Sequence, residues 1–366
     1  MRISFWESKI EVTPELLETI VGILEGGELS VRAGGPYVVA LEKQLCLLTG
    51  RKYAVAVSSA TTGLMILLSH PRFKSSQVVM PAFTFLATMT SAQWNNITPI
   101  FCDVDPDTWT LDAESVERNI TSHTTAIIPV NMFGNPSNYT DLEGVARDHS
   151  IPLIVDAAQG LGAKYDGKAE GSFGLASVIS FSPSKVITGG EGGIILTDDE
   201  DIYQHCLRGR HYGDDGSYNP TFPGINAKLT EVQAAIILSQ IPLITSRVDG
   251  ALARAKLYTT LLHDEVTFQK SRNSARLWKE CTILVPKELR DKVSSNLSAA
   301  GVDHRKYWSV PLHHTTAYQM YEHKSGYPIL PITEDLADRV VSLPMHSGLS
   351  VENIRRISEI VNGSLC

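Results

Sequence analysis

The sequence predicts an α/β protein: a large domain with a mostly parallel seven-stranded sheet flanked by helices, plus a smaller C-terminal α+β domain. Three observations predict it. Between about residues 52 and 200, seven short apolar runs alternate with longer amphipathic ones, the pattern of a sheet covered by helices. Several of those runs end in clustered polar residues, as strands of an open sheet do where they meet a ligand. After Leu229 two helical patterns run almost together with Pro242 between them, which reads as a bridge to a second core. A chain of 366 residues is long for one core, so residues 1–240 are assigned to the large domain, N-terminal segment included, and 241–366 to the linking helix and small domain.

The strands of the large sheet are expected at 53–57, 77–80, 99–104, 126–130, 152–155, 176–181 and 193–197. Each is a short apolar run rich in β-branched or aromatic residues. Helices are expected at 61–68, 84–94, 113–119, 140–149 and 199–208, several opening at Ser, Thr or Asp in the manner of N-caps. In the small domain, 282–285 and 341–343 read as strands, and 287–299 and 351–361 as helices. No repeat or low-complexity tract interrupts them.

Composition narrows the function. A hydrophobic fraction of 43% with 20% charged residues describes an ordinary globular protein. A formal charge of -8 argues against a general nucleic-acid or membrane-surface binder, which needs a basic face. The five cysteines are widely separated and odd in number, so they fit neither a disulfide framework nor a metal-ligand spacing. No run approaches the length of a membrane span, and the opening residues carry no sustained apolar core. The expectation is a cytoplasmic protein with reduced thiols.

The stretch SFSPSKVITGGEGG, residues 180–193, places Lys185 on a loop between two strands. A lysine near a glycine-rich turn is ordinarily a solvated charge. On a loop held by a rigid sheet, it becomes a nucleophile once burial or nearby cations lower its pKa. YAVAVSSATTGL runs from a strand through Ser59, Ala60 and Thr61 directly into a helix. That helix start is either a well-capped end or an anion site, where free N–H groups and the helix dipole meet a phosphate. IPLIVDAAQ carries Asp156 out of an apolar strand, with Gln159 three residues on. The carboxylate either caps the next helix or meets a cationic partner. Phe83 and Phe85 in PAFTFLAT are core filler or a face for a planar ligand. The glycines at 189–193 lead into a strand, so they fail the context test for a dinucleotide-binding turn. A lysine nucleophile, phosphate cradle, aromatic plate and buried carboxylate at one sheet edge together match pyridoxal 5′-phosphate, with its aldehyde, phosphate, flat ring and pyridine nitrogen.

These motifs, with FCDVDPDTWTLD, AIIPVNMFGNP, RGRHYG and GINAKLTEVQAA, resemble the DegT/StrS family of sugar aminotransferases, which are fold-type I pyridoxal phosphate enzymes. The resemblance runs through nearly the whole chain, and VPLHHTTAY and VSLPMHSGLS extend it into the small domain. It implies that Lys185 bonds the cofactor aldehyde and Asp156 pairs with the pyridinium nitrogen. It further implies that Phe85 stacks on the ring, that Gln159 sits against it, and that Ser180, Ala60 and Thr61, beside Ser59, bind the phosphate. In this family a Gly-x-Asn segment of the neighbouring subunit completes the phosphate site. The corresponding residue is Asn226, so a homodimer with shared active sites is implied. Two departures stand out: Ser59-Ala60-Thr61 replaces Ser-Gly-Thr, and Gly224-Ile225-Asn226 replaces Gly-Tyr-Asn.

The implied reaction is a ping-pong transamination from L-glutamate to a keto sugar, expected to be a nucleotide-linked 3- or 4-keto-deoxysugar, with a cyclitol ketone as the alternative. His211, Tyr212, Lys228, Arg305 and His313 are candidates for the sugar or its diphosphate, and equally for ordinary exposed loop residues. No spacing of histidines and carboxylates argues for a metal. Two other readings compete with amino transfer. Dehydrating relatives resemble the family but carry a histidine at the lysine position, and this chain keeps Lys185. A regulatory relative without chemistry would tolerate loss of Lys185 or Asp156, and both are present.

Overall fold

The computed structural model describes residues 2–7, 10–74, 76–320 and 328–365. Four strands form one ladder in the order Tyr53–Val57, Gly193–Thr197, Ala176–Ser180, Ile154–Asp156, and three form another in the order Thr98–Cys102, Gln77–Pro81, Thr124–Ile127. Parallel bridges Ile127–Leu153 and Val130–Asp156 join the two ladders into one seven-stranded sheet. Six of the seven strands run in one direction; Gly193–Thr197 runs antiparallel to both of its neighbours. Its strand follows Ala176–Ser180 through the lysine-bearing loop, without the crossover helix that a parallel return requires.

All seven strands appear where the apolar runs place them, with ends shifted by up to three residues. The sheet is covered on both faces because its strands are apolar on both sides. Val57, Val78, Met80 and Val178 pack with Leu64 and Leu67 of helix Ala60–Leu68 in one core. Ala56, Val79, Val155 and Ile179 pack with Leu41, Leu45 and Ile237 in another. Helices Pro14–Gly26 and Pro36–Thr49 are additions to the predicted set. The first has its start and stop signals, Thr13 accepting from Leu16 N and Gly27 in a left-handed C-cap. Its exposed Leu17, Val21 and Leu24 blur the one-sided apolar pattern by which a surface helix is read.

Helix Glu231–Gln240 ends in a short turn at Ile241–Leu243, and helix Ile244–Leu261 follows, so Pro242 sits at the break. The C-terminal layer is a sheet of Thr267–Phe268, Cys281–Leu284 and Val340–Leu343 under helices Arg290–Ala299 and Val351–Leu365. Ile3 pairs with Val302 and buries its side chain in this layer with Ile283, Val341 and Ile357. Ile3 thereby ties the first residues to the C-terminal core. No helix among the described residues is long and apolar enough to cross a membrane.

Candidate active site

At one edge of the large sheet the strand ends and their loops surround a cavity of about 560 Å³. Ser59, Ala60, Thr61, Phe85, Asp156, Gln159, Ser180 and Lys185 all line it. Eight residues spread over more than 120 positions meet there because parallel strands deliver their C-terminal ends to one side of the sheet.

Asp156 ends its strand almost fully buried. Thr88 Oγ1 donates to its Oδ2 at 2.7 Å, and the backbone N–H of Ala158 donates to Oδ1 at 3.2 Å. Burial raises the carboxyl pKa above its ordinary value, while Thr88, Ala158 and the nearby Lys185 hold it down. Lys185 follows the turn closed by its own N–H to Ser182 O at 3.0 Å. Its side chain is half-buried and opens on the cavity. Burial first, then the ammonium of Lys279, pushes its pKa down to about 7. A lysine near that value is substantially the neutral amine that attacks an aldehyde.

Ser59 caps helix Ala60–Leu68 in a reciprocal box with Thr62, its Oγ accepting from Thr62 N at 3.1 Å. The first N–H groups of the helix have no intrahelical acceptor. Strand residue Gly193 lies directly under them: a Cβ there would stand 2.5 Å from Ala60 N. Only glycine permits this approach, which sets the helix start against the sheet edge. Ser180 Oγ, at the end of its strand, accepts from Ser182 N at 3.3 Å. Phe85 is 52% exposed, a flat apolar face turned toward the cavity where a core phenylalanine would be covered. Gln159 is held by Phe133 N, which donates to its Oε1 at 3.1 Å. An amine-bearing loop, a helix start, an exposed ring and a buried carboxylate around one space are the donor set that a phosphorylated pyridine aldehyde requires.

The remaining candidates separate. Arg305 lines the cavity, with its guanidinium carbon 4.8 Å from the ring centre of Phe5 and 5.4 Å from that of Trp6. His211, Tyr212, Lys228 and Asn226 form their own cluster outside its lining. Lys228 Nζ lies 2.6 Å from Asn226 Oδ1, 3.1 Å from His211 Nδ1 and 5.8 Å from the Tyr212 ring centre. His313 is fully buried outside the cavity, with Nε2 3.2 Å from Glu334 Oε1. It is removed from the exposed loop where the sequence puts it because Leu312 N bonds Ala82 O and seats the turn against the sheet. His314 and Glu334 stand with it as a group whose ligand atoms lie within 4.8 Å of one another, a proximity that their sequence spacing hides.

Several cavity residues carry no sequence signal. Trp6, Phe133, Tyr307 and Trp308 give the cavity an aromatic wall. Lys279 and Glu280 form a buried ion pair at its edge, and Tyr307 Oη lies 3.4 Å from Glu280 Oε1.

A model of the DegT/DnrJ/EryC1/StrS aminotransferase family matches residues 11–362. The chain belongs to this family. It is 32% identical over 331 residues to the UDP-N-acetyl-3-dehydro-alpha-D-glucosamine 3-aminotransferase of Acidithiobacillus ferrooxidans, covering 89% of this chain and 88% of that one. It is 30% identical over 356 residues to a pleiotropic regulatory protein of Geobacillus stearothermophilus, covering 95% and 94%. The crystal structure of DesI with its TDP-sugar product matches with a TM-score of 0.91 at 31% identity, over 100% of this chain and 93% of that chain. As a DegT/DnrJ/EryC1/StrS member the protein is an aminotransferase of the pyridoxal phosphate-dependent fold, and the residues around Lys185 fit that cofactor.

Proposed function

We propose that the protein transfers an amino group from L-glutamate to a keto sugar carried on a nucleotide, by a ping-pong mechanism at Lys185. The observation that carries this reading is the half-buried Lys185, with its pKa pushed down to about 7, sharing one cavity with Asp156 and the start of helix Ala60–Leu68. Bound there, pyridoxal phosphate would supply an electron sink for the bond broken at the amino-acid Cα. Ala60 N–H, Thr61 N–H and Ser180 Oγ would hold its phosphate, and Phe85 and Gln159 would meet its ring. Asp156, fixed by Thr88 and Ala158, would keep a proton on the ring nitrogen. Lys185 Nζ would take the proton from the donor Cα and hold it for return once the amino group has moved. The same amine reverses the transfer when the keto sugar enters.

The aromatic wall of Trp6, Tyr307 and Trp308 with Arg305 suits a sugar diphosphate: flat faces for rings and a guanidinium for phosphate. The relatives that act on UDP- or TDP-linked sugars support the same substrate class. Asn226 and Lys228 stand outside the cavity of their own chain, which supports their acting in the cavity of a second copy in a homodimer. The four cysteines among the described residues are free and buried or half-buried, which suits a reducing compartment, the cytoplasm. Release of 2-oxoglutarate from L-glutamate tests the reading. The wild type should produce one equivalent per bound cofactor, and Lys185→Ala none; equal release from Lys185→Ala would refute it.

A further inference from the structure

The large cavity does not account for every buried charge around Lys185. A second cavity of about 110 Å³ lies against the same lysine and shares Trp6, Lys185, Lys279 and Glu280 with the first. Its far wall is the face of helix Ile244–Leu261 that carries Arg247, Ala251 and Arg254. Their spacing of four and three residues sets them on one side of the helix.

The two carboxylates among the lining residues are already engaged. Glu280 is paired with Lys279, and Glu7 Oε2 lies 3.4 Å from His346 Nδ1. Arg247 gives its Nη1 to Val186 O at 2.8 Å and to Gln240 Oε1 at 3.0 Å. Arg254 is different. Its Nε is buried without a hydrogen-bond partner, and no carboxylate among the described residues pairs with it. A guanidinium cannot shed its charge, so one taken partly out of water calls for an anion. Its planar fork fits a carboxylate with two parallel hydrogen bonds.

We propose that the second cavity receives a carboxylate of the amino donor, with Arg254 as its binding residue. This rests on the aminotransferase reading and adds where the donor is recognised. A cavity of this size admits one carboxylate-ended arm and excludes a sugar nucleotide, which needs the larger space. Lys185 stands on the boundary between the two cavities. One amine can therefore serve two unlike substrates, the amino acid toward Arg254 and the sugar toward the aromatic wall.

The test pairs binding with reaction. Glutarate, an unreactive dicarboxylate, is titrated calorimetrically into cofactor-loaded wild type, Arg254→Gln and Arg254→Lys, with circular dichroism and melting temperature as folding controls. The expected result is at least a tenfold loss of glutarate affinity in Arg254→Gln and a smaller loss in Arg254→Lys. The L-glutamate concentration for half-maximal bleaching of the cofactor band should rise by a similar factor. Equal glutarate affinity in folded Arg254→Gln, or no glutarate binding to wild type, overturns the proposal while leaving the aminotransferase reading intact. If wild type binds glutarate through Arg254 yet ignores L-glutamate, the carboxylate pocket stands and glutamate as donor falls.

Discussion

Thr88 and Asp156, 68 residues apart in sequence, are joined by a 2.7 Å hydrogen bond from Thr88 Oγ1 to Asp156 Oδ2. Helix Leu86–Trp94 thereby orients the carboxylate that ends strand Ile154–Asp156. Thr88→Val keeps the shape and removes the donor. A hydrogen bond to a charged group contributes about 1.5–3 kcal/mol, so kcat/KM should fall roughly 10–100-fold. Asp156→Asn should fall further, since it removes the charge itself. Steady-state kinetics on both variants check the order; an unaffected Thr88→Val would show that Ala158 N–H alone suffices.

The lysine should titrate within reach of neutrality. A lysine reacts as the free amine, so below a pKa of about 7 the rate of rebinding pyridoxal phosphate to apo-protein should fall with pH, by about tenfold per unit. Above it the rate should level off. Lys279→Met removes the neighbouring cation and leaves the Glu280 charge uncompensated. Both effects raise the Lys185 pKa, so the midpoint should move up. Rebinding followed by absorbance across pH measures it, and a midpoint that moves down contradicts the assignment.

Glu170 gives the fold a pH dependence of opposite origin. It is buried with Asn131 and Tyr139 as hydrogen-bond partners, and its Oε1 has none. Burial raises its pKa to about 7. The folded state therefore holds this proton more tightly than the unfolded chain does. Its contribution is full below the unfolded carboxyl pKa and is lost as pH rises toward 7. A loss of about 1–3 kcal/mol is expected. Melting temperature should fall between pH 5.5 and pH 8 in wild type and fall less in Glu170→Gln.

Gly193→Ala tests the phosphate cradle. The added methyl would stand 2.5 Å from Ala60 N and 2.6 Å from Ser59 C, both backbone atoms that cannot swing away. The helix start must shift outward. Cofactor affinity, read by absorbance titration, should weaken at least tenfold, with about 1–3 kcal/mol of stability lost to overpacking.

The proposed sharing of sites between two copies predicts complementation. Lys185→Ala and Asn226→Ala proteins, each inactive alone, should regain activity in mixed dimers, where one site has both intact residues. Verified mixed dimers without recovery would place Asn226 outside the site.

Much of this site is legible in the sequence because its residues stand at strand ends. Asp156 terminates an apolar run, and Ser59 separates a strand from a helix. Local patterns fix both positions, and the parallel sheet then brings them together. Lys279 and Glu280 escape such reading because their place beside Lys185 depends on how the C-terminal layer docks. Glu334 escapes similarly: nothing near it in sequence shows that it meets His313. Arg254 is one of several half-buried or exposed charges on a helix that buries Ala251, Ala255 and Tyr258, so only the cavity beside it sets it apart. His313 shows the converse error, a polar residue that local sequence exposes and tertiary packing buries.

The central claim is that Lys185 carries the cofactor and passes an amino group through it. The most direct measurement is the visible absorption spectrum of purified protein incubated with pyridoxal phosphate and freed of excess, before and after L-glutamate. Wild type should show a Schiff-base band that bleaches on adding L-glutamate, and Lys185→Ala no such band. A wild-type protein that forms no band, or a Lys185→Ala protein that forms the same one, would contradict that claim.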